Sequence, residues 1–218
     1  VYGTFGQPYT EPASVAACNA ANGGFSEGCE QRGSFLKSVV AFDMYTGRPR
    51  WSYRVQGHDQ WTRACAALAP VVTWCPDEFD SEKWDLGGSG VNVMRIRTRD
   101  KTRTVVGIGG KSGVYTVLDA KTGHFIWSTL IGPGGDQGGM NWGTAFDGDR
   151  IYASITNQHH IPYLLTRHGA LTNETATGGS WAALDPRTGT ILWQTADPQV
   201  ETLAGLGTVG VWDLAPVS

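Results

Sequence analysis

An all-β fold built from repeated hairpins is what this sequence predicts, on three observations. A nine-residue pattern recurs three times, short apolar runs alternate with turn residues, and glycine and tryptophan are in excess (30 and 9 in 218 residues). Glycine supplies positive φ in tight turns, so many glycines among short apolar runs mean many turns and few long helices. Tryptophan is a large flat side chain suited to packing where sheets meet.

The repeat is the strongest of the three. Asp43-Met44-Tyr45-Thr46-Gly47-Arg48-Pro49-Arg50-Trp51 returns as the segment from Asp119 to Trp127 and again from Asp185 to Trp193. All three read Asp-x-x-Thr-Gly-x-x-x-Trp, and each follows an apolar run: 39–42, 115–118 and 181–184. The run is a strand. The aspartate accepts hydrogen bonds from backbone N–H groups two and three residues on and starts a turn. Glycine closes the turn in the left-handed conformation. A return strand follows and ends in an indole placed to pack against a neighbouring unit.

Taken in chain order, the first hairpin occupies 39–51. Further strands are predicted at 91–96, 104–108 and, after the turn Asp147-Gly148-Asp149, at 151–155. Helical periodicity is weak everywhere and reaches a bare signal only over 15–21. The motif tryptophans are spaced more widely than the roughly 40–50 residues of a four-stranded blade, which leaves room for a blade plus a long loop. Short strands, local pairing and an aromatic motif per unit predict a β-propeller. Residues 1–218 are read as one partial propeller domain of about three to four blades, with repeat motifs at 43–51, 119–127 and 185–193. An unclosed ring exposes a strand edge, so the expectation is a fragment of a longer chain or a ring completed by a second chain.

Composition narrows the class further. Hydrophobic residues make up 40% and charged residues 17%, which suits a packed core rather than a disordered chain. A net charge of −3 gives no electrostatic footing for nucleic acid or an anionic membrane. No stretch reaches eighteen uninterrupted apolar residues, so no membrane-spanning helix is expected.

The four cysteines fall in two local pairs, Cys18 with Cys29 and Cys65 with Cys75. Neither has zinc spacing and no histidines complete a four-ligand set. Two small disulfide loops are the reading, with buried free thiols as the alternative. Disulfides imply an oxidising compartment, hence a secreted or periplasmic protein. Asn173-Glu174-Thr175 is a glycosylation sequon. The opening residues read as mid-strand, so a leader would have been removed or would lie upstream.

The three Trp motifs resemble those of the PQQ-dependent quinoprotein dehydrogenases, eight-bladed propellers that hold pyrroloquinoline quinone on the axis. Gly57-His58-Asp59-Gln60-Trp61, Gly109-Gly110-Lys111-Ser112-Gly113-Val114-Tyr115 and the run from Gly132 to Gly143 through Asn141-Trp142 are similar to the polyvinyl alcohol dehydrogenase branch. The resemblance implies a Ca-assisted oxidoreductase acting on an alcohol or polyol, polymeric or secondary, with PQQ and calcium as cofactors. Asp59 would be the catalytic base; Lys111, Asn141 and Trp142 would bind the cofactor; Gln7 and Asp59 would ligate the metal. In this family an asparagine usually stands where Gln7 does, and glutamine carries its amide oxygen one methylene further out. The family's adjacent cysteine pair, glutamate ligand and tryptophan floor would lie upstream of Val1.

Each residue also has a plain structural reading. Asp59 fits a turn aspartate before Trp61, Lys111 a solvated surface charge, and Asn141-Trp142 a loop tip packing on the next blade. His159 and His160, being adjacent, point to opposite faces of a strand and cannot chelate one metal together; they are read as loop or surface residues. The alternative function is a secreted propeller that has lost its cofactor and serves as a binding module, since a fold hosts many functions.

Overall fold

The computed structural model of the protein describes residues 1–7, 10–24, 26–55, 86, 90–98, 101–135, 137 and 139–211. Over these residues the chain is all-β with one α-helix. β1 (Tyr2–Phe5), β2 (Ser38–Phe42) and β3 (Pro49–Arg54) form the first sheet in that order. The second is the antiparallel meander β4 (Asn92–Arg97), β5 (Thr102–Gly109), β6 (Val114–Asp119) and β7 (Phe125–Leu130). The third joins β8 (Ala145–Phe146), β9 (Ile151–Ile155), β12 (Ser180–Leu184) and β13 (Ile191–Ala196). Its interior connection carries the hairpin β10 (Tyr163–Arg167) and β11 (Ala170–Ala176), and beyond β13 lies the hairpin β14 (Val200–Leu203) and β15 (Gly207–Gly210).

The three repeats fold into one hairpin three times. The aspartate N–H donates to a carbonyl five residues on: Asp43 to Arg48 at 2.9 Å, Asp119 to His124 at 2.8 Å and Asp185 to Thr190 at 2.9 Å. Gly47, Gly123 and Gly189 donate back to the aspartate carbonyls, each at 2.8 Å, and sit at φ 68°, 74° and 76°. Asp43 and Asp119 also accept the N–H and hydroxyl of Thr46 and Thr122 on Oδ1, each at 2.9 Å. The register agrees as well. Ala41 faces Trp51, Val117 faces Trp127 and Ala183 faces Trp193, with a bulge one step later in every case.

The sheets are joined by the tryptophans. Trp51 Nε1 donates to the Ala120 carbonyl at 3.2 Å and Trp127 Nε1 to the Pro186 carbonyl at 3.1 Å, in each case the residue after the next unit's aspartate. The central sheet is covered on both faces, because alternate side chains on a strand point to opposite sides. Val105, Tyr115 and Val117 pack with Ile151, Ala153 and Leu184 of the third sheet. Val106, Ile108 and Leu118 pack with Val39, Trp51 and Tyr53 of the first. At roughly 25 cal/mol per Å² of apolar surface removed from water, these two interfaces supply the main cohesion.

Three features bear on the sequence expectations. The weak helical signal becomes a nine-residue helix, α1 (Ala13–Ala21), with no side-chain cap at its N-terminus and Asn19 as its buried residue. It lies in the long connection between β1 and β2. Cys18 is bonded there to Cys29, whereas Cys65 and Cys75 lie outside the described residues. His160 lies in the loop between β9 and β10, as expected, but is buried there at 9% exposure, with Nδ1 3.1 Å from the Gly210 carbonyl.

Candidate active site

In the second sheet β5 and β7 run the same way, so the turn 110–113 and the connection 131–144 leave the same end, opposite the Asp119 turn. Lys111 sits in the first segment and Asn141-Trp142 in the second. In the first sheet Gln7 stands two residues past β1, the strand that pairs with β2 as β5 pairs with β6. The proposed site residues that are described therefore all fall at the ends of sheets opposite the Asp–Gly turns.

Backbone hydrogen bonds clasp Lys111 and Asn141 together. The Lys111 carbonyl accepts the Gly135 N–H at 3.0 Å, the Gly110 carbonyl accepts the Met140 N–H at 3.0 Å, and the Gly113 carbonyl accepts the Ile131 N–H at 2.9 Å. Gly139, at φ 59°, packs directly on the Lys111 carbonyl and leaves no room for a side chain. Its own carbonyl accepts the Thr156 N–H at 3.0 Å, tying the clasp to the third sheet. Asn141 is buried at 8% exposure and donates through Nδ2 to the Gln137 carbonyl at 2.8 Å. Trp142 is 59% exposed, so its indole face is open.

A polar network stiffens this end of the sheet from behind. Asn92 Nδ2 donates to Thr144 Oγ1 at 2.6 Å and to the Tyr115 hydroxyl at 3.3 Å. Tyr115 is fully buried, and desolvation pushes its phenol up to about 12. It remains neutral and acts as scaffold.

Asp59 lies outside the described residues, so its pairing with Gln7 rests on sequence. Gln7 itself is half-buried. Among the described residues no group of three or more His, Cys, Asp or Glu side chains is gathered to hold a metal ion. The donors that are described suit an anionic ligand: an ammonium at Lys111, an amide at Asn141, and glycine backbone approachable at close range.

Lys37 is buried at 1% exposure and adopts φ 51°. It stands six residues before Asp43, where the other repeats carry Gly113 and Gly179.

No protein-family model matches the chain. It is similar to the polyvinylalcohol dehydrogenase of a Pseudomonas sp., with 29% identity over 133 residues, 61% of this chain and 18% of that protein. It is also similar to the polyvinylalcohol dehydrogenase of Sphingopyxis sp. (strain 113P3), with 27% identity over 157 residues, 72% of this chain and 22% of that protein. The chain thus spans about a fifth of the length of the curated relatives it matches. Among solved structures, the quinohemoprotein alcohol dehydrogenase from Comamonas testosteroni aligns over 81% of this chain and 31% of its own, at 16% identity and a TM-score of 0.46.

Proposed function

We propose that this chain, a sequence relative of the polyvinyl alcohol dehydrogenases as its motifs indicated, is part of a PQQ-dependent oxidoreductase of alcohols. The observation that carries the reading is the clasp that holds Lys111 and Asn141 at one end of the central sheet with Trp142 open beside them. Residues that match the family's cofactor site but lie 30 positions apart in sequence are thereby joined through backbone.

The architecture proposed is the eight-bladed quinoprotein propeller, of which these sheets are about three to four blades. Two features support it. The Trp-to-turn dock is used twice with one geometry. The Asn92–Thr144 bond ties the connection entering β8 to β4, so the first strands of neighbouring sheets approach each other. Trp193, the third motif tryptophan, is 37% exposed against 8% for Trp127. The partner proposed for it is the rest of the propeller, in the same longer chain or a second one.

Within the site, Lys111 would donate to the carboxylate and carbonyl oxygens of the quinone, and Asn141 and Trp142 would line the cofactor. Asp59 takes the hydroxyl proton of the alcohol, for which a partly dry setting that raises its pKa is the suitable tuning. When bound, PQQ supplies the hydride acceptor and calcium the Lewis acid. Gln7 and Asp59 would contribute two of the six to eight oxygens that calcium takes. The substrate proposed is a secondary or polymeric alcohol, and the compartment secreted or periplasmic, in keeping with the Cys18–Cys29 disulfide. Among the described residues no helix is long and apolar enough to cross a membrane.

The test is alcohol-dependent dye reduction by the intact protein with added PQQ and Ca²⁺. Activity in the wild type that Asp59→Asn abolishes is the expected result. A cofactor-free binding module would show no PQQ-dependent turnover.

A further inference from the structure

We propose that the groove between the 130–134 connection and the β10–β11 hairpin is a binding subsite for the aliphatic chain of the alcohol, beyond its reacting hydroxyl. The proposal rests on the cofactor reading above and adds where the rest of the substrate lies and what chemistry recognises it.

Three observations carry it. The first is that the hairpin is surplus to its sheet. β5 and β6 are joined by the short turn 110–113, whereas the equivalent strands β9 and β12 are joined by a connection that carries β10 and β11. Both connections leave the end of the sheet opposite the Asp–Gly turn. The second is the chemistry of the groove. Its volume is about 500 Å³, in the usual range for small-molecule sites. Leu130 and Pro133 form one wall and Ile161, Leu164 and Leu171 the other, and among the described residues that line it none is charged. Leu130, Leu164 and Leu171 are 65%, 43% and 69% exposed. One exposed leucine is ordinary, but a cluster facing one groove marks a binding surface. Leu165, between the groove-lining Leu164 and Thr166, is buried at 4%, so β10 has its own inward anchor and does not need the outer leucines to seat it. Walls of this kind suit a hydrocarbon chain.

The third is position. Ser112, the chain neighbour of Lys111, lines the groove, as do Gly132 and Gly134 of the connection whose Gly135 N–H donates to the Lys111 carbonyl at 3.0 Å. The groove is therefore continuous with the clasp that holds the proposed cofactor residues. Gly132 lets the two sides meet, since a methyl group there would stand 2.9 Å from Ile155 Cγ2 and 3.3 Å from Tyr163 Cε2. The Tyr163 hydroxyl donates to the Gly178 carbonyl at 3.3 Å, and burial pushes its phenol up to about 12. It is a neutral wall, not an acid or base.

The test is dye reduction by the intact protein, loaded with PQQ and Ca²⁺, on 2-alkanols from 2-propanol to 2-octanol. Wild type is compared with the double variant Leu164→Gln, Leu171→Gln and with Val200→Gln, which removes a 65% exposed apolar side chain outside the groove. Thermal unfolding of each apoprotein runs alongside. Each methylene taken into the groove should raise kcat/KM about threefold, so wild-type values should climb along the series. In the double variant the 2-octanol value should fall at least ~10-fold while 2-propanol stays within about twofold and the midpoint is unchanged. Val200→Gln should keep the wild-type series. A double variant that also keeps it overturns the proposal. So does one that loses 2-propanol and 2-octanol equally, and a lowered midpoint then assigns the leucines to contacts with a covering segment of the protein. Wild-type turnover without chain-length dependence overturns the groove and leaves the cofactor reading standing, whereas no PQQ-dependent turnover of any alcohol overturns both.

Discussion

Gly189 lies flat against the indole of Trp127, so close that a methyl group in its place would stand 2.5 Å from Cε3. Gly123 meets Trp51 in the same way, at 2.6 Å. One residue thus serves two purposes, closing its own turn and receiving the neighbouring sheet's tryptophan. Gly47 has the same φ class with nothing within 4 Å of such a methyl, which makes it a natural control. Gly47→Ala should cost about 1–2 kcal/mol for the left-handed backbone alone. Gly123→Ala and Gly189→Ala should cost a further ~1–3 kcal/mol as the sheets are forced apart. Denaturant unfolding of the three variants checks the difference.

The indole hydrogen bonds can be tested separately from the packing. Trp127→Phe keeps much of the apolar contact but leaves the Pro186 carbonyl without its donor in a buried setting. A loss of about 1–3 kcal/mol is expected, against about 3–5 kcal/mol for Trp127→Ala. A Trp127→Phe variant as stable as the wild type would mean that the hydrogen bond contributes nothing.

Stability should fall in acid. Burial opposes ionisation of Asp119, but hydrogen bonds from Arg103 and from Thr122 and Lys121 outweigh it and hold the carboxyl at about 2, below its ordinary 3.8. The Arg50 guanidinium lowers Asp43, and Arg187 lowers Asp185, in the same way. A carboxyl depressed in the folded state stabilises above its unfolded pKa and loses that contribution as pH falls through the folded one. The unfolding midpoint should therefore drop between about pH 4 and pH 2. Asp119→Asn should lower the neutral-pH midpoint and flatten the drop.

The repeated hairpins were legible because their chemistry is local: aspartate, threonine and glycine within five residues dictate the turn, and the apolar run beside them dictates the strand. The two accessory hairpins were not. β10 with β11, and β14 with β15, are largely exposed, so they lack the apolar alternation that marks a half-buried strand. α1 buries only Asn19 and has no side-chain cap, which left it without a helical stripe or start signal. At the proposed site, Lys111, Asn141 and Trp142 were singled out by motif. Their juxtaposition was not readable, because it depends on Gly139 folding onto the Lys111 carbonyl.

That clasp yields its own prediction. Gly139→Ala should displace the 139–141 segment from the β5–β6 turn, weakening PQQ binding at least ~10-fold and lowering the unfolding midpoint together. Lys111→Met should weaken binding by a similar factor with the midpoint unchanged. Fluorescence titration and thermal unfolding on the same samples separate the two.

The Cys18–Cys29 bond ties α1 to the 3-10 turn at Glu27–Cys29, and Glu30 in turn pairs with Arg54 of β3 at 2.9 Å. Cys18→Ser with Cys29→Ser should cost about 2–3 kcal/mol. Non-reducing peptide mapping should recover a linked Cys18/Cys29 pair, and a Cys65/Cys75 pair is expected beside it.

The gathering of one quinone by these loop ends is tested most directly by a crystal structure of the intact protein grown with PQQ. The account predicts the quinone against the 110–113 turn, within hydrogen-bond reach of the Lys111 ammonium, with the Trp142 indole over its ring and the Asp59 carboxylate facing its carbonyl edge. A structure in which PQQ lies elsewhere, or in which Lys111 and Asp59 point away from a common cavity, would contradict it.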